Sequence, residues 1–226
     1  MLTFDLAIKH NTTFVVANAN QLDVVQPSAY VRYGKRCFDI VVSALVCVFI
    51  LSWLYPILAI LIKLSSPGPV LFQQQRTGRN GRDFRCLKFR TMRHKPRAGF
   101  KQCAKHDPRV TTIGKFLRRS NLDEMPQFIN VLMGEMSVVG PRPHAVEHDD
   151  RYWFVLPNYH LRYLVKPGIT GLAQVRGARG ETSGMIKMKH RVQYDLLYAK
   201  RQSLDLDIKL CLGTVTGMVK GNVNAW

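Results

Sequence analysis

The chain has 226 residues, 33 Lys+Arg against 15 Asp+Glu for a formal charge of +18, and a hydrophobic content of 46%. That length suits one domain with a real core and is short for two, and the apolar content excludes a disordered polycation. The charge exceeds what solubility needs and points to nucleic acid, anionic lipid or phosphorylated substrates.

Residues 1–34 are polar to mixed, with short β-branched runs such as Thr12 to Val16, and read as a loosely packed lead-in. They lack the basic start and apolar core of a signal peptide. Asn11-Thr12-Thr13 matches a glycosylation sequon, a match too short to carry weight. From Ile40 to Ile62 no charge occurs. These roughly 23 residues are enough to cross a hydrocarbon core of about 30 Å as a helix. A buried helix of a soluble domain is rarely so long and apolar all round. Pro56, inside the run, removes a hydrogen bond and is expected to kink the helix. Arg32, Lys35 and Arg36 precede the run; Lys63, Arg76, Arg79 and Arg82 follow it. Positive flanks belong on the cytoplasmic side. Basic residues at both ends fit a helix that enters, bends and returns; a crossing helix with a tolerated proline fits the residues equally.

Ser65-Ser66-Pro67-Gly68-Pro69 then forms a turn. Val70–Gln74 and Phe84–Phe89 read as strands of a hairpin around Arg79-Asn80-Gly81-Arg82, since Asn-Gly is a strong hairpin signal. Lys95–His106 reads as a basic, mobile loop. Ile113–Arg119 is expected to be a short helix and Glu124–Met133 a second, closed by Gly134. Lys166-Pro167-Gly168 and Gly177–Gly184 read as loops. Residues 185–200 and Leu204–Val219 read as helices, the last apolar on most faces and suited to lie on a bilayer. Five cysteines, Cys37, Cys47, Cys86, Cys103 and Cys211, are odd in number and contain no C-x-x-C pair. They argue against a disulfide framework or a zinc site and for a reducing compartment.

Four constellations bear on chemistry. In Leu122-Asp123-Glu124-Met125-Pro126-Gln127, two carboxylates adjoin in a very basic chain. They could complement the first turn of a helix capped by Ser120 or Asn121. They could equally supply a carboxylate nucleophile beside a metal-binding carboxylate, at a helix N-terminus suited to phosphate. In Gly140-Pro141-Arg142-Pro143, two prolines stiffen the backbone around one arginine, whose fork suits phosphate; alone it could be a rigid surface turn. His144-Ala145-Val146-Glu147-His148 matches the H-x-x-E-H zinc-peptidase pattern, but five-residue matches arise by chance and no third ligand is evident. Lys88, Arg90, Arg118, Arg119, Arg176 and Arg179 are each an ordinary surface charge alone, and together could form a diphosphate clamp.

Taken in order, these motifs resemble bacterial polyprenyl-phosphate sugar-1-phosphate transferases, the monotopic phosphoglycosyltransferases. The matching stretches are Lys35-Arg36-Cys37-Phe38-Asp39, Leu87 to Met92, Asp107 to Thr111, Leu122 to Gln127, Asn130 to Pro143 and Lys166 to Gln174. The resemblance covers about residues 35–226. It implies an α+β fold: a re-entrant membrane helix over residues 35–64, kinked at Pro56, and a small, mostly helical catalytic domain over 65–226 with a short β-hairpin.

It also implies a reaction. Asp123 attacks the sugar-proximal phosphate of a UDP-sugar, UMP leaves, and a polyprenyl phosphate, undecaprenyl phosphate in bacteria, takes the phosphosugar from the aspartate. Glu124 helps hold Mg²⁺. Lys88, Arg118, Pro141, Arg142, Pro143 and Gln174 bind substrate. Pro143-His144-Ala145-Val146 with His148, and Arg179-Gly180-Glu181-Thr182, look like the branch that transfers glucose-1-phosphate, as in exopolysaccharide biosynthesis. In that branch the two histidines recur without the intervening glutamate, which weakens the zinc alternative. Three positions depart from the family pattern: Tyr55 for the usual Ser before the kink proline, Glu135 for Asp and Leu172 for Trp. Ser52, one turn back, is a substitute for the missing Ser. Many members carry further N-terminal membrane helices and a soluble domain, and this chain reads as a short form. The implied setting is the inner (cytoplasmic) membrane, with the catalytic domain on the cytoplasmic face, a membrane-lipid environment and a possible homo-oligomer. A membrane-tethered nucleic-acid binder is the main rival, but the aromatic–basic interleaving of RNA readers is missing and no nucleic-acid partner is expected. A basic membrane anchor for partners is the third.

Overall fold

The computed structural model describes residues 28–94, 107–178 and 184–219. Most of the expected lead-in, the Lys95–His106 loop, Cys103 and Arg179 lie outside the described residues. The fold is a mixture of helix and sheet that begins with one long helix, α1 (Tyr30–Ser65, 36 residues). The hairpin strands β1 (Leu71–Thr77) and β2 (Asp83–Phe89) follow, antiparallel, with Leu71 opposite Phe89 and Thr77 opposite Asp83. Asn80 and Gly81 both turn with positive φ, 57° and 73°, which this residue pair accepts at low cost.

Next come α2 (Thr112–Ser120) and α3 (Gln127–Met133). Thr111 caps α2 by accepting from the Gly114 N–H at 3.0 Å. A left-handed Asn121 ends α2 and a left-handed Gly134 ends α3. The expected single helix from Glu124 to Met133 is corrected. Leu122–Glu124 is a separate 3₁₀ turn, because Pro126 has no N–H to continue an upstream helix and instead leads into α3. The acidic pair therefore sits on a tight turn before the helix.

Beyond α3 the sequence concealed a second sheet. β3 (Ser137–Val139) pairs in parallel with β4 (Gly168–Thr170). Two three-residue strands, separated by α4 (Val146–Tyr152) and a 3₁₀ turn at Tyr159–Leu164, leave too little periodicity to detect. A short α5 (Leu172–Val175) and the expected α6 (Met185–Lys200) and α7 (Leu204–Val219) complete the chain.

Helix α1 packs on this body through both halves. Leu51, Leu54, Leu58 and Ile62 recur at helical spacing and are buried against Phe89 and Leu117. Each buried side chain contributes about 2 kcal/mol. The first half is tied by polar bonds. Buried Asp39 accepts from Ser137 Oγ and Val138 N, both at 2.9 Å, and pairs with Lys35. Lys35 also meets Asp207 of α7 at 2.8 Å. Arg36 donates to Val131 O and Leu132 O, the last-turn carbonyls of α3. The remaining faces of α1 are apolar and open: Phe49 is 68% exposed and Leu64 80%.

The backbone of α1 stays helical through Pro56. It is irregular in two π turns, Tyr30–Gly34 and Cys47–Leu51, and in the second Ser52 N–H reaches back to Cys47 O. Val48 O, its ordinary α-helical acceptor, instead takes the Ser52 hydroxyl. Ser52 thus serves the π turn rather than the carbonyl that Pro56 leaves unbonded. Tyr55 packs its ring 5.6 Å from that of Phe89.

Candidate functional site

The site is built where β2, α2, the Leu122–Glu124 turn and the loop after β3 converge. In β2, Phe84 and Cys86 face the core. Strand alternation sends Lys88 the same way, into the body, where its Nζ meets Glu124 Oε1 at 2.6 Å. Arg142 reaches the same carboxylate as a fork, Nη2 to Oε1 at 2.5 Å and Nη1 to Oε2 at 3.1 Å. Asn130, fully buried on α3, locks that helix to the strand. Its Oδ1 accepts from Leu87 N and its Nδ2 donates to Arg85 O and to Glu135. Glu135, one of the three departures, therefore has a definite partner. Leu172, another, is buried in the main core.

Asp123 and Glu124 are 8% and 7% exposed. Burial is the largest influence on Asp123 and raises its carboxyl. Lys88 pulls it back, Glu124 raises it again, and Arg118 and Arg142 oppose, leaving it pushed up to about 6. Arg118 is held nearby by its Nε bond to Thr91 Oγ1 at 2.9 Å. Burial pushes the Lys88 ammonium down, with Glu124 opposing. For Arg142 burial acts downward too, but the Glu124 carboxylate outweighs it and the guanidinium is held more firmly protonated than usual.

The loop carrying Arg142 rests on a close crossing of glycines. A Cβ on Gly168 would lie 2.0 Å from Gly140 N, and one on Gly140 would lie 2.4 Å from Lys166 O. Only glycine lets the two backbones meet there. Pro141 and Pro143 flank the arginine as expected. Gln174 donates to Ile169 O at 2.9 Å, and its amide oxygen lies beside Gly171 at the crossing.

The expected diphosphate clamp divides. Lys88 and Arg118 surround the acidic pair, and Arg119 and Arg176 are exposed. Arg90 is corrected to a structural role. It is 4% exposed and donates to Ile62 O, Ser66 O and Pro67 O, so it caps the end of α1. Of the zinc pattern, the His148 side chain lies outside what the structure describes. His144 Nδ1 lies in a buried network with Tyr159 and Arg162, and no group of three metal-ligating residues forms among the described residues. The sequence reading missed Arg162, Arg191 and Asp195, all buried. The i, i+4 spacing of Arg191 and Asp195 on α6 was the available signal, and an exposed pair has the same spacing.

If Asp123 is the nucleophile, as the family resemblance implies, activity requires its ionised carboxylate. The rate is therefore expected to rise with pH through about 6 and level above it. Stability should run the other way. The folded carboxyl holds its proton between the ordinary 3.8 and about 6, where the unfolded one has lost it, so stability falls as pH rises through that window. Initial rates and thermal unfolding from pH 4.5 to 8 would test both signs; a rate flat to the acid end would remove the assignment.

The sequence matches the profile described as bacterial sugar transferase over residues 30–221. It is 49% identical over 194 residues to the UDP-glucose:undecaprenyl-phosphate glucose-1-phosphate transferase of Escherichia coli (strain K12), covering 85% of this chain and 41% of that protein. It is 46% identical over 186 residues to the exopolysaccharide production protein PSS of Rhizobium leguminosarum bv. phaseoli, covering 80% of this chain and 92% of that protein. It is 39% identical over 203 residues to the UDP-N-acetylgalactosamine-undecaprenyl-phosphate N-acetylgalactosaminephosphotransferase of Aeromonas hydrophila, covering 89% and 47%. The chain thus spans less than half the length of two of these three relatives.

Proposed function

Because the chain belongs to the bacterial sugar transferase family, we propose that it moves a sugar-1-phosphate from a UDP-sugar to undecaprenyl phosphate, releasing UMP and starting a glycan on its lipid carrier. The observation that carries this is the buried Asp123–Glu124 pair enclosed by Lys88, Arg118 and Arg142. A carboxylate nucleophile, with cations fixed beside it and little water, is what a two-step phosphoryl displacement needs.

In the first step an Asp123 oxygen bonds to the sugar-bearing phosphorus. The bond from that phosphorus to the bridging oxygen breaks, and UMP leaves with the electron pair. In the second, an oxygen of the lipid phosphate bonds to the same phosphorus and the aspartate leaves. Lys88, Arg118 and Arg142 stabilise the charge that develops. Glucose is the proposed sugar, on the name of the Escherichia coli relative; the Aeromonas relative is named for a different one. The rival nucleic-acid binder and anchor gain nothing from these relatives' names. Trapping a phosphosugar adduct on the purified protein and mapping it by mass spectrometry tests the proposal. An adduct on Asp123 supports it, and an adduct elsewhere refutes the mechanism.

Glu124 is also the proposed Mg²⁺ residue. Such an ion binds through one or two carboxylates and fills its shell with water and substrate phosphate oxygens. Glu124 beside Asp123 fits that donor set, provided the ion shares or displaces the Lys88 and Arg142 bonds. When bound, the ion would neutralise the diphosphate. UMP release is expected to stop with EDTA and return with Mg²⁺; turnover unchanged in EDTA would exclude the role.

For α1 the re-entrant arrangement is proposed, in the cytoplasmic membrane with the catalytic body on the cytoplasmic face. Its support is that both halves of the helix are fastened to one polar body. A straight crossing would carry part of that body into hydrocarbon, where unpaired polar groups are costly. The open apolar faces, Phe49 and Leu64 among them, would meet lipid. A label attached near residue 30 is expected to react only from the cytoplasmic side, and reaction only from the opposite side would overturn the arrangement.

A further inference from the structure

We propose that Arg162 is a positioning residue that fixes Arg142 onto Glu124 by holding the backbone of the Pro141–His144 strap. The activity part of its test rests on the reaction proposed above. Four successive carbonyls of the strap are each bonded from elsewhere. Pro141 O accepts from Gly168 N at 2.9 Å and His144 O from Thr77 N at 3.3 Å. Arg142 O accepts from Arg162 Nη2 at 2.7 Å and Pro143 O from Arg76 Nη1 at 2.6 Å. Two of the four donors are thus arginine side chains, arriving from the β1 side and from the Tyr159–Leu164 turn.

Arg162 is itself fixed on all sides and is 1% exposed. Its Nε and Nη2 donate to Asp195 Oδ2 at 3.1 and 2.7 Å. Its Nη1 lies 2.7 Å from His144 Nδ1 and donates to Tyr163 Oη at 3.2 Å. The rings of Tyr159 and Tyr163 lie 5.4 and 5.2 Å from its guanidinium carbon. A buried Arg–Asp pair adds little net stability over well-packed apolar side chains, since desolvation offsets the attraction. Its contribution here is geometric. The rigid guanidinium ties Asp195 on α6, His144 at the end of the strap and the Arg142 carbonyl to one plane. The arginine that grips Glu124 is thereby set from behind.

The test uses the full chain in lipid nanodiscs. Arg162→Lys keeps the charge but loses the fork, so it cannot hold Asp195 and Arg142 O together. Its kcat for UMP release is expected to fall about 100-fold, with a smaller change in KM, as for a catalytic group misplaced by about 1 Å. In an Arg142→Ala background the same change should cost nothing further. Equal losses in both backgrounds would show that Arg162 acts elsewhere and overturn the inference. Asp195→Asn, which keeps the shape and Arg162 itself, supplies the same comparison if the lysine variant does not fold. Arginine side-chain NMR gives a readout free of turnover. Arg142 Nε–H, assigned through Arg142→Lys, should show hindered rotation in the wild type and averaging in Asp195→Asn. An Arg142 signal identical in both would overturn the inference. Should the wild type release no UMP from any UDP-sugar, the proposed reaction fails, and the NMR comparison alone decides the positioning role.

Discussion

Asp123→Asn is expected to lower UMP release by about 10³-fold or more and to abolish the phosphosugar adduct, with the fold intact. The amide matches the carboxylate in shape, so the 3₁₀ turn and its neighbours need not move. It carries no charge and its oxygen does not attack phosphorus. The substitution also removes a carboxyl that burial already disfavours in its ionised form. Stability above pH 6 should therefore hold or rise, where an ordinary core substitution would lower it. That opposition of activity and stability identifies a group kept for chemistry. Turnover near wild type would remove Asp123 as nucleophile, whatever the stability.

The residues that could be read from the sequence are those whose chemistry is carried by a short contiguous motif. The Asn80-Gly81 hairpin follows from backbone conformation alone, and α2 and the end of α3 follow from their caps. The acidic pair and the Gly140–Pro143 loop were legible as units. How they meet was not. Lys88 and Arg142 lie 36 and 18 residues from Glu124 along the chain, and only the fold brings them to one carboxylate.

Arg90 illustrates the reverse error. Two residues after Lys88 it looks like a second phosphate ligand, yet it lies just past the end of β2 and its guanidinium reaches the carbonyls at the end of α1. The parallel β3–β4 pair was hidden because its two strands lie about thirty residues apart and hold three residues each. For α1, length and composition were plain in the sequence, but the site of its irregularity was not. Its π turns lie at Tyr30–Gly34 and Cys47–Leu51, in residues with no distinguishing chemistry.

Glu124→Gln should damage both activity and stability, and in a way that reports on Asp123. Glu124 is the shared, buried anion between two half-buried cations. Lys88 Nζ bonds Oε1 at 2.6 Å and the Arg142 fork takes both oxygens. The amide has one acceptor oxygen, and its N–H₂ would face a donor on one side. Lys88 and Arg142 would then confront each other without their counter-charge. Removing one partner from such a buried pair costs about 3 kcal/mol or more, read as a drop in unfolding midpoint. With the cations displaced from the phosphate position, kcat should fall about 10²- to 10³-fold. The direction of the pH limb is the sharper test. Glu124 is one of the groups raising Asp123, while Lys88 and Arg142 lower it. With Glu124 neutralised, Asp123 would lose a neighbouring negative charge and keep those of Arg118 and Arg142, which stay protonated. The acid limb of the residual activity must then move below about 6. A limb that stays in place, or moves upward, would show that the two carboxylates do not share one electrostatic site.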